Sequence, residues 1–248
     1  MDNTNYIALS RQMALWKQMD VVSNNMANMN TSGYKGDEAV FTSYLAKTEN
    51  AAKGIVGNPL YFTQDYGTYK NFAEGMIAHT GNALDVAIKG NAFFAVETPE
   101  GEKYTRKGQF SLNADGAIVT KDGYPLLSET GTPFFIAPNE NEITITASGE
   151  VLTENGSLGR MRLASFADNQ KLLKIADTMF ENTEGNSMEY NNGSYQVVQK
   201  SIEKSNVEPI AEMTKLINLQ RSYEYVQQMI DTEHERLSNT ITAFSQQA

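Results

Sequence analysis

Residues 209–246 read PIAEMTKLINLQRSYEYVQQMIDTEHERLSNTITAFSQ, a run without glycine whose only proline stands first. Pro209 suits the opening turn of a helix, where its missing N–H has no partner to lose. Glu208 and Glu212 lie in that turn, where negative charge suits the positive end of the helix dipole. Leu216, Tyr223, Ile230, Leu237 and Phe244 recur at a spacing of seven. A seven-residue repeat keeps one face turned toward a partner helix. The flanking row is expected at Met213, Gln220, Gln227, His234 and Ile241, of which three are polar. The pattern therefore predicts helix–helix packing in an assembly, not an autonomous two-stranded zipper.

The other end of the chain behaves alike. From Asn5 to Met29 there is neither glycine nor proline, and Leu9, Met13, Trp16, Met19 or Asp20, Val22 and Met26 fall in steps of three and four. This predicts a helical rod of roughly 39 Å. Its methionines suit a packing face shared with more than one neighbour. The helix stops in Asn28-Met29-Asn30-Thr31-Ser32-Gly33, where asparagine and glycine accept a left-handed turn.

Between the ends the character changes. Strands are expected at 84–88, 92–96, 109–112, 117–120, 142–146 and 160–166. Turn pairs separate them at Asp115-Gly116, Asp122-Gly123, Ser148-Gly149, Asn155-Gly156 and Asn192-Gly193. Short strands with such turns argue for antiparallel hairpins. Residues 169–176 read as a short helical turn at best. The fold class expected is α+β: paired long N- and C-terminal helices, coiled-coil-like, flanking a β-rich antiparallel central domain. Residues 1–35 and 206–248 would form a discontinuous helical assembly domain, 36–75 an extended connector and 76–205 the β-rich domain.

Composition narrows the function. Of 248 residues, 40% are hydrophobic and 20% charged, within the globular range. A formal net charge of −10 disfavours nucleic acid and anionic membrane surfaces as partners. No cysteine occurs, which removes disulfides, thiolate zinc sites and cysteine nucleophiles together. Only His79 and His234 are available as histidines, and the residue four after His234 is Ser238, so no zinc-protease helix exists. Phosphate-cradling loops and the G-x-S-x-G elbow are absent. No apolar run approaches the ~20 residues that span a bilayer. The polar, acidic opening Met1-Asp2-Asn3-Thr4-Asn5 is unlike a Sec signal, so no cleaved leader is expected. The reading is of a protein that is not an enzyme, with no cofactor and no metal.

Three stretches together resemble one family. Ser23-Asn24-Asn25-Met26-Ala27-Asn28, then Thr31-Ser32-Gly33-Tyr34-Lys35, resembles the signature that closes the N-terminal helix of flagellar axial proteins. The run Thr80 to Gly90, then Phe93-Phe94, Tyr104-Thr105-Arg106, Gly108, Phe110 and Asp122 to Leu127, is similar to the β domain shared by rod and hook proteins. Glu203-Lys204-Ser205-Asn206-Val207, before a helix containing Gln220-Arg221-Ser222-Tyr223-Glu224, is similar to their C-termini. Three positions depart from that pattern: Met26 for isoleucine, and Ala92 and Lys200 for glycines. Lys200 bears on the backbone geometry where the chain leaves the β domain.

The resemblance implies a subunit of the bacterial flagellar basal-body rod, within the periplasm. The opening residues and length are similar to the proximal rod branch, with the distal rod branch as the competitor. It implies partners in copies of itself and neighbouring rod proteins, and export by the flagellar type III apparatus, with no membrane insertion. The assembly interface would comprise Leu9, Met13, Trp16, Val22, Asn24, Asn25, Met26, Asn28, Leu216, Tyr223, Ile230, Leu237 and Phe244. The rival from another class is a monomeric β-domain module that binds a ligand.

Overall fold

The computed structural model describes residues 2–46, 60–137, 140, 142–176, 178–183, 186–191 and 195–245. Helix α1 spans Asp2–Ala27 and helix α2 spans Pro209–Ser245. Strands fill much of the chain between them, so the class is α+β with a β-rich centre. Two compact units result: Met1–Ala27, Asp37–Tyr69 and Glu208–Ala248 form unit 1, while Asn28–Gly36 and Lys70–Val207 form unit 2. The stretch read as an extended connector holds two strands, β1 (Asp37–Ala46) and β2 (Leu60–Lys70), which pair as a sheet. Their alternation is broken by small and polar residues, which hid them from a period-two reading.

Unit 2 is built on a six-stranded sheet. Its strand order is Leu173–Ala176, Met179–Glu181, Gly101–Thr105, Phe93–Thr98, Leu163–Phe166 and Met188–Tyr190. Each neighbouring pair is antiparallel. Smaller antiparallel pairings surround it. Val86–Gly90 joins Tyr195–Gln199, Ile77–His79 joins Ser201–Glu203, Phe110–Leu112 joins Ile118–Thr120, and Ile143–Ile145 joins the hairpin Glu150–Thr153 with Gly156–Arg160. The run expected as one strand from 160 to 166 is thus divided between two sheets. Residues 169–176 hold one 3-10 turn, Asn169–Lys171, followed by a strand. The Asn192-Gly193 turn lies outside the described residues.

Successive residues of a strand face opposite sides of its sheet, and the strand containing Phe93 and Phe94 is covered on both. Ala92, Phe94 and Val96 enter a mainly aliphatic core with Ile88, Leu126, Val151 and Leu163, in which Phe94 meets Phe110 edge-on at 5.2 Å. Phe93 and Ala95 enter an aromatic core with Tyr104, Phe166 and Phe180. Phe93 lies 5.6 to 5.9 Å, centroid to centroid, from Phe166, Phe180 and Phe72 in edge-on contacts. Such pairs add about 0.5–1.5 kcal/mol beyond area burial. Ala92 places its methyl in the aliphatic core, a use for a side chain where the family pattern has none.

Lys200 is different. Its φ is +57°, and among the described residues only Asn191 shares the left-handed region without being glycine. The corner is needed because the Lys200 carbonyl accepts from Thr80 N at 2.8 Å, between two successive strand pairings. A left-handed L-residue costs roughly 1–2 kcal/mol, against about 0.5–1 kcal/mol for glycine's extra freedom when unfolded. Lys200→Gly is expected to stabilise unit 2 by about 0.5–1 kcal/mol, read as a higher urea midpoint. Lys200→Ala should give no such gain; an equal gain from alanine would trace the effect to the side chain instead.

Candidate assembly surfaces

Helices α1 and α2 of unit 1 run in opposite directions. Asn25, near the end of α1, donates to Glu212 in the first turn of α2 at 3.3 Å, and Gln12 donates to Gln227 at 2.5 Å. In α1, Asn5, Ala8, Gln12, Leu15, Met19, Val22 and Met26 form a covered row in steps of three and four. In α2 the covered row is Leu216, Leu219, Tyr223, Val226, Ile230, Glu233 and Leu237. The residues of the seven-repeat from Leu216 to Leu237 therefore lie on the covered side. The second row is not the one read from sequence: Met213, Gln220, Gln227, His234 and Ile241 are all exposed. The alternative at plus three, with Leu219 and Val226, supplies the apolar residues that the plus-four row lacked.

The stripe read in α1 mixes two faces. Val22 is buried and Met26 half-buried, but Leu9, Met13 and Trp16 are exposed, Trp16 by 62% and Met13 by 66%. With Tyr6 they form a second apolar stripe about 120° around the helix from the covered row, at 100° per residue. Residues three and seven apart share a face, so Tyr6, Leu9, Met13 and Trp16 present a continuous surface. On α2, Ile210, Met213 and Ile217 do the same near its start, and Tyr225 and Met229 further along. The side chain of Phe244 lies outside the described residues. With 26 and 37 residues, the helices are about 39 and 56 Å long, so α2 is the longer by about three turns.

The asparagines of the helix end have distinct places. Asn24 is exposed. Asn25 is buried and exchanges two bonds with Asp37: its Nδ2 donates to the Asp37 carbonyl at 2.8 Å, and its Oδ1 accepts from Asp37 N at 3.0 Å. One side chain thus ties α1, the start of β1 and, through Glu212, the start of α2. Glu212 is held in turn by Lys215 at 2.6 Å. Asn28 is buried in unit 2, where it accepts from Thr31 at the helix stop.

A further set of residues in unit 2 escaped the sequence reading. Lys35 and Glu203 are each 1% exposed, with Lys35 Nζ 2.6 Å from Glu203 Oε1 and 2.7 Å from the Ala73 carbonyl. Arg106 Nη1 lies 3.5 Å from Glu203 Oε2, and the guanidinium also donates to the carbonyls of Ile88 and Gly90 and sits over the Phe93 ring. Burial pushes the Lys35 ammonium below its ordinary value; Glu203 opposes that push and Arg106 adds to it. Arg106 is likewise lowered by burial, with Glu203 opposing. Gly33 is required beside them: its φ is +69°, and a Cβ there would stand 2.5 Å from the Arg106 carbonyl carbon. Lys35, Arg106, Glu203 and Gly33 all fall within stretches that carried the family resemblance. Nothing in spacing or charge marked them as buried, because lysine and glutamate are most often solvated.

Three family descriptions match the chain. Residues 6–35 match "Flagella basal body rod protein", residues 87–153 "Flagellar hook protein FlgE/F/G D1 domain", and residues 198–243 "Flagellar basal body rod FlgEFG protein C-terminal". Among curated proteins, the chain is 37% identical over 235 residues to the flagellar basal-body rod protein FlgF of Caulobacter vibrioides, covering 95% of each. It is 31% identical over 224 residues to FlgF of Mesorhizobium japonicum, covering 90% of each. The rod protein FlgG of Agrobacterium fabrum is 34% identical over 254 residues, with 94% of this chain and 95% of that one covered.

Proposed function

Since the chain belongs to the flagellar basal-body rod protein family, we propose that it polymerises through its terminal helices, paired in coiled-coil fashion, into a torque-transmitting shaft. It is a structural subunit of the basal-body rod, not an enzyme, and it assembles there with other rod proteins. Its place is the proximal rod, within the periplasm, reached by export through the flagellar type III apparatus. Similarity to FlgF proteins over nearly the whole chain supports the proximal assignment.

The observation that carries the polymerisation reading is the outward stripe Tyr6, Leu9, Met13 and Trp16. Contiguous exposed apolar surface on a soluble unit marks an interaction site. Neighbouring subunits cover this stripe and the outward apolar residues of α2, while the inner rows hold the two helices together. Asn25 fixes their register, since a buried amide with three directed bonds cannot slide along a helix as an apolar contact can.

Trp16 is the only tryptophan, so its emission reports this surface without labelling. In the isolated chain it should emit as a water-exposed indole, and assembly into rods should shift the maximum to shorter wavelength. Unshifted emission from assembled rods would place the stripe outside the interface and end this reading of it.

A further inference from the structure

The chain passes between the two units at 27/28, 36/37, 69/70 and 207/208. Just inside unit 2, three of these passages are stitched to one another. Gly36 N donates to Asn206 Oδ1 at 2.9 Å, and the Gly36 carbonyl accepts from Asn71 N at 2.8 Å. Asn206 Nδ2 donates to the carbonyls of Asn71 and Ala73 at 2.8 and 3.1 Å. Lys35 Nζ reaches the same Ala73 carbonyl and Glu203. Glu203 closes the set: its Oε1 accepts from Gly75 N at 2.9 Å, and its carbonyl accepts from Gly33 N at 2.8 Å. Every one of these bonds joins residues far apart in sequence.

We propose that Lys35, Glu203 and Asn206 are positioning residues that act as one splice, binding the strands that leave unit 2 at 36, 70 and 207 so that force on any one is shared by all three. The sense of sharing force rests on the rod reading; the splice itself is a property of the single chain. The chemistry suits the task. An asparagine amide offers donors and an acceptor on one short arm, and Asn206 uses both kinds on two different strands. A buried lysine bonded to a carboxylate and a carbonyl contributes direction more than net stability, because desolvation offsets most of the attraction. The buried residues of the two cores are others, and the stitched segments touch the aromatic one through Phe72, between Asn71 and Ala73.

Amide hydrogen exchange on the full, unassembled chain tests it, since the bonds place reporter N–H groups on the segments that leave at 36 and 70, each tied to a partner on another segment. Asn206→Asp keeps an acceptor for Gly36 and loses both donations. The splice predicts that protection then falls about tenfold or more at the amides of Gly33, Asn71 and Gly75, whose N–H groups donate to Glu203 and Gly36 and not to the Asn206 side chain. The core amide Ala95, bonded to the Arg162 carbonyl, should be unchanged. Lys35→Met should loosen the same three amides from the opposite side, and serves if the first variant does not fold. Unchanged protection at those three amides in a folded variant overturns the splice. That failure leaves the rod reading standing, because exchange is read before assembly, whereas the rod reading fails on Trp16 emission.

Discussion

Glu203→Ala is expected to lower the unfolding free energy of unit 2 by about 3–5 kcal/mol, the usual result of stripping a buried ion of its partner. Lys35 and Arg106 would be left as two buried cations, answered by carbonyl oxygens, the Phe93 ring and the weaker pull of the Glu74 carboxylate. Lys35→Met should behave quite differently. It leaves Glu203 and Arg106 as a balanced pair and removes an ammonium that burial already disfavours. Its cost should stay under about 1.5 kcal/mol, the net contribution of an ordinary hydrogen bond. Urea unfolding of both variants under the same conditions makes the comparison. Equal losses would show that the two opposite charges contribute as a simple pair, and would remove the argument from charge count.

Tyr223→Asp should abolish incorporation into rods while leaving unit 2 folded. Tyr223 lies in the covered row of α2, between Leu219 and Val226. A carboxylate placed there must be desolvated without a partner, at a cost of several kilocalories, or else the helix pair must open. Unit 2 contains none of α2 and keeps both of its cores. Circular dichroism of the purified variant should therefore retain the sheet signal and its melting transition, with sedimentation showing no polymer. Rods of normal yield would show that the covered row plays no part in assembly.

Much of this architecture was legible in the chain. Glycine-free runs of three and four spacing located both helices to within a few residues, because helical periodicity accumulates over many turns. The faces were harder. In α1 two apolar stripes coexist, and a periodicity argument joined Leu9, Met13 and Trp16 to Val22 and Met26 although they point apart. In α2 the repeat from Leu216 lies on the covered side, but its companion row runs through Leu219 and Val226, one residue before the expected Gln220 and Gln227, which are solvated. Hairpin strands beside Asp-Gly turns were visible. Edge strands such as 173–176 were not, since four residues are too few to establish a period and the apolar Leu173 and Ile175 are exposed there. The stitched residues were least visible of all. Lys35, Glu203 and Asn206 have a joint meaning only once strands far apart in sequence are brought side by side.

The stretch from Ala92 to Val96, which opens the strand Phe93–Thr98, carries a different kind of consequence, for heredity. Most strands offer drift a free choice at every second residue, where a side chain meets water. This one offers none, because all five residues are buried, alternately in two separate cores. A change at Phe93 must be answered among Tyr104, Phe166 and Phe180, and a change at Phe94 among Phe110 and the aliphatic residues of the other core. Two adjacent codons thus answer to two different sets of distant positions. Descendants of this chain can vary the one only in company with residues that leave the other untouched.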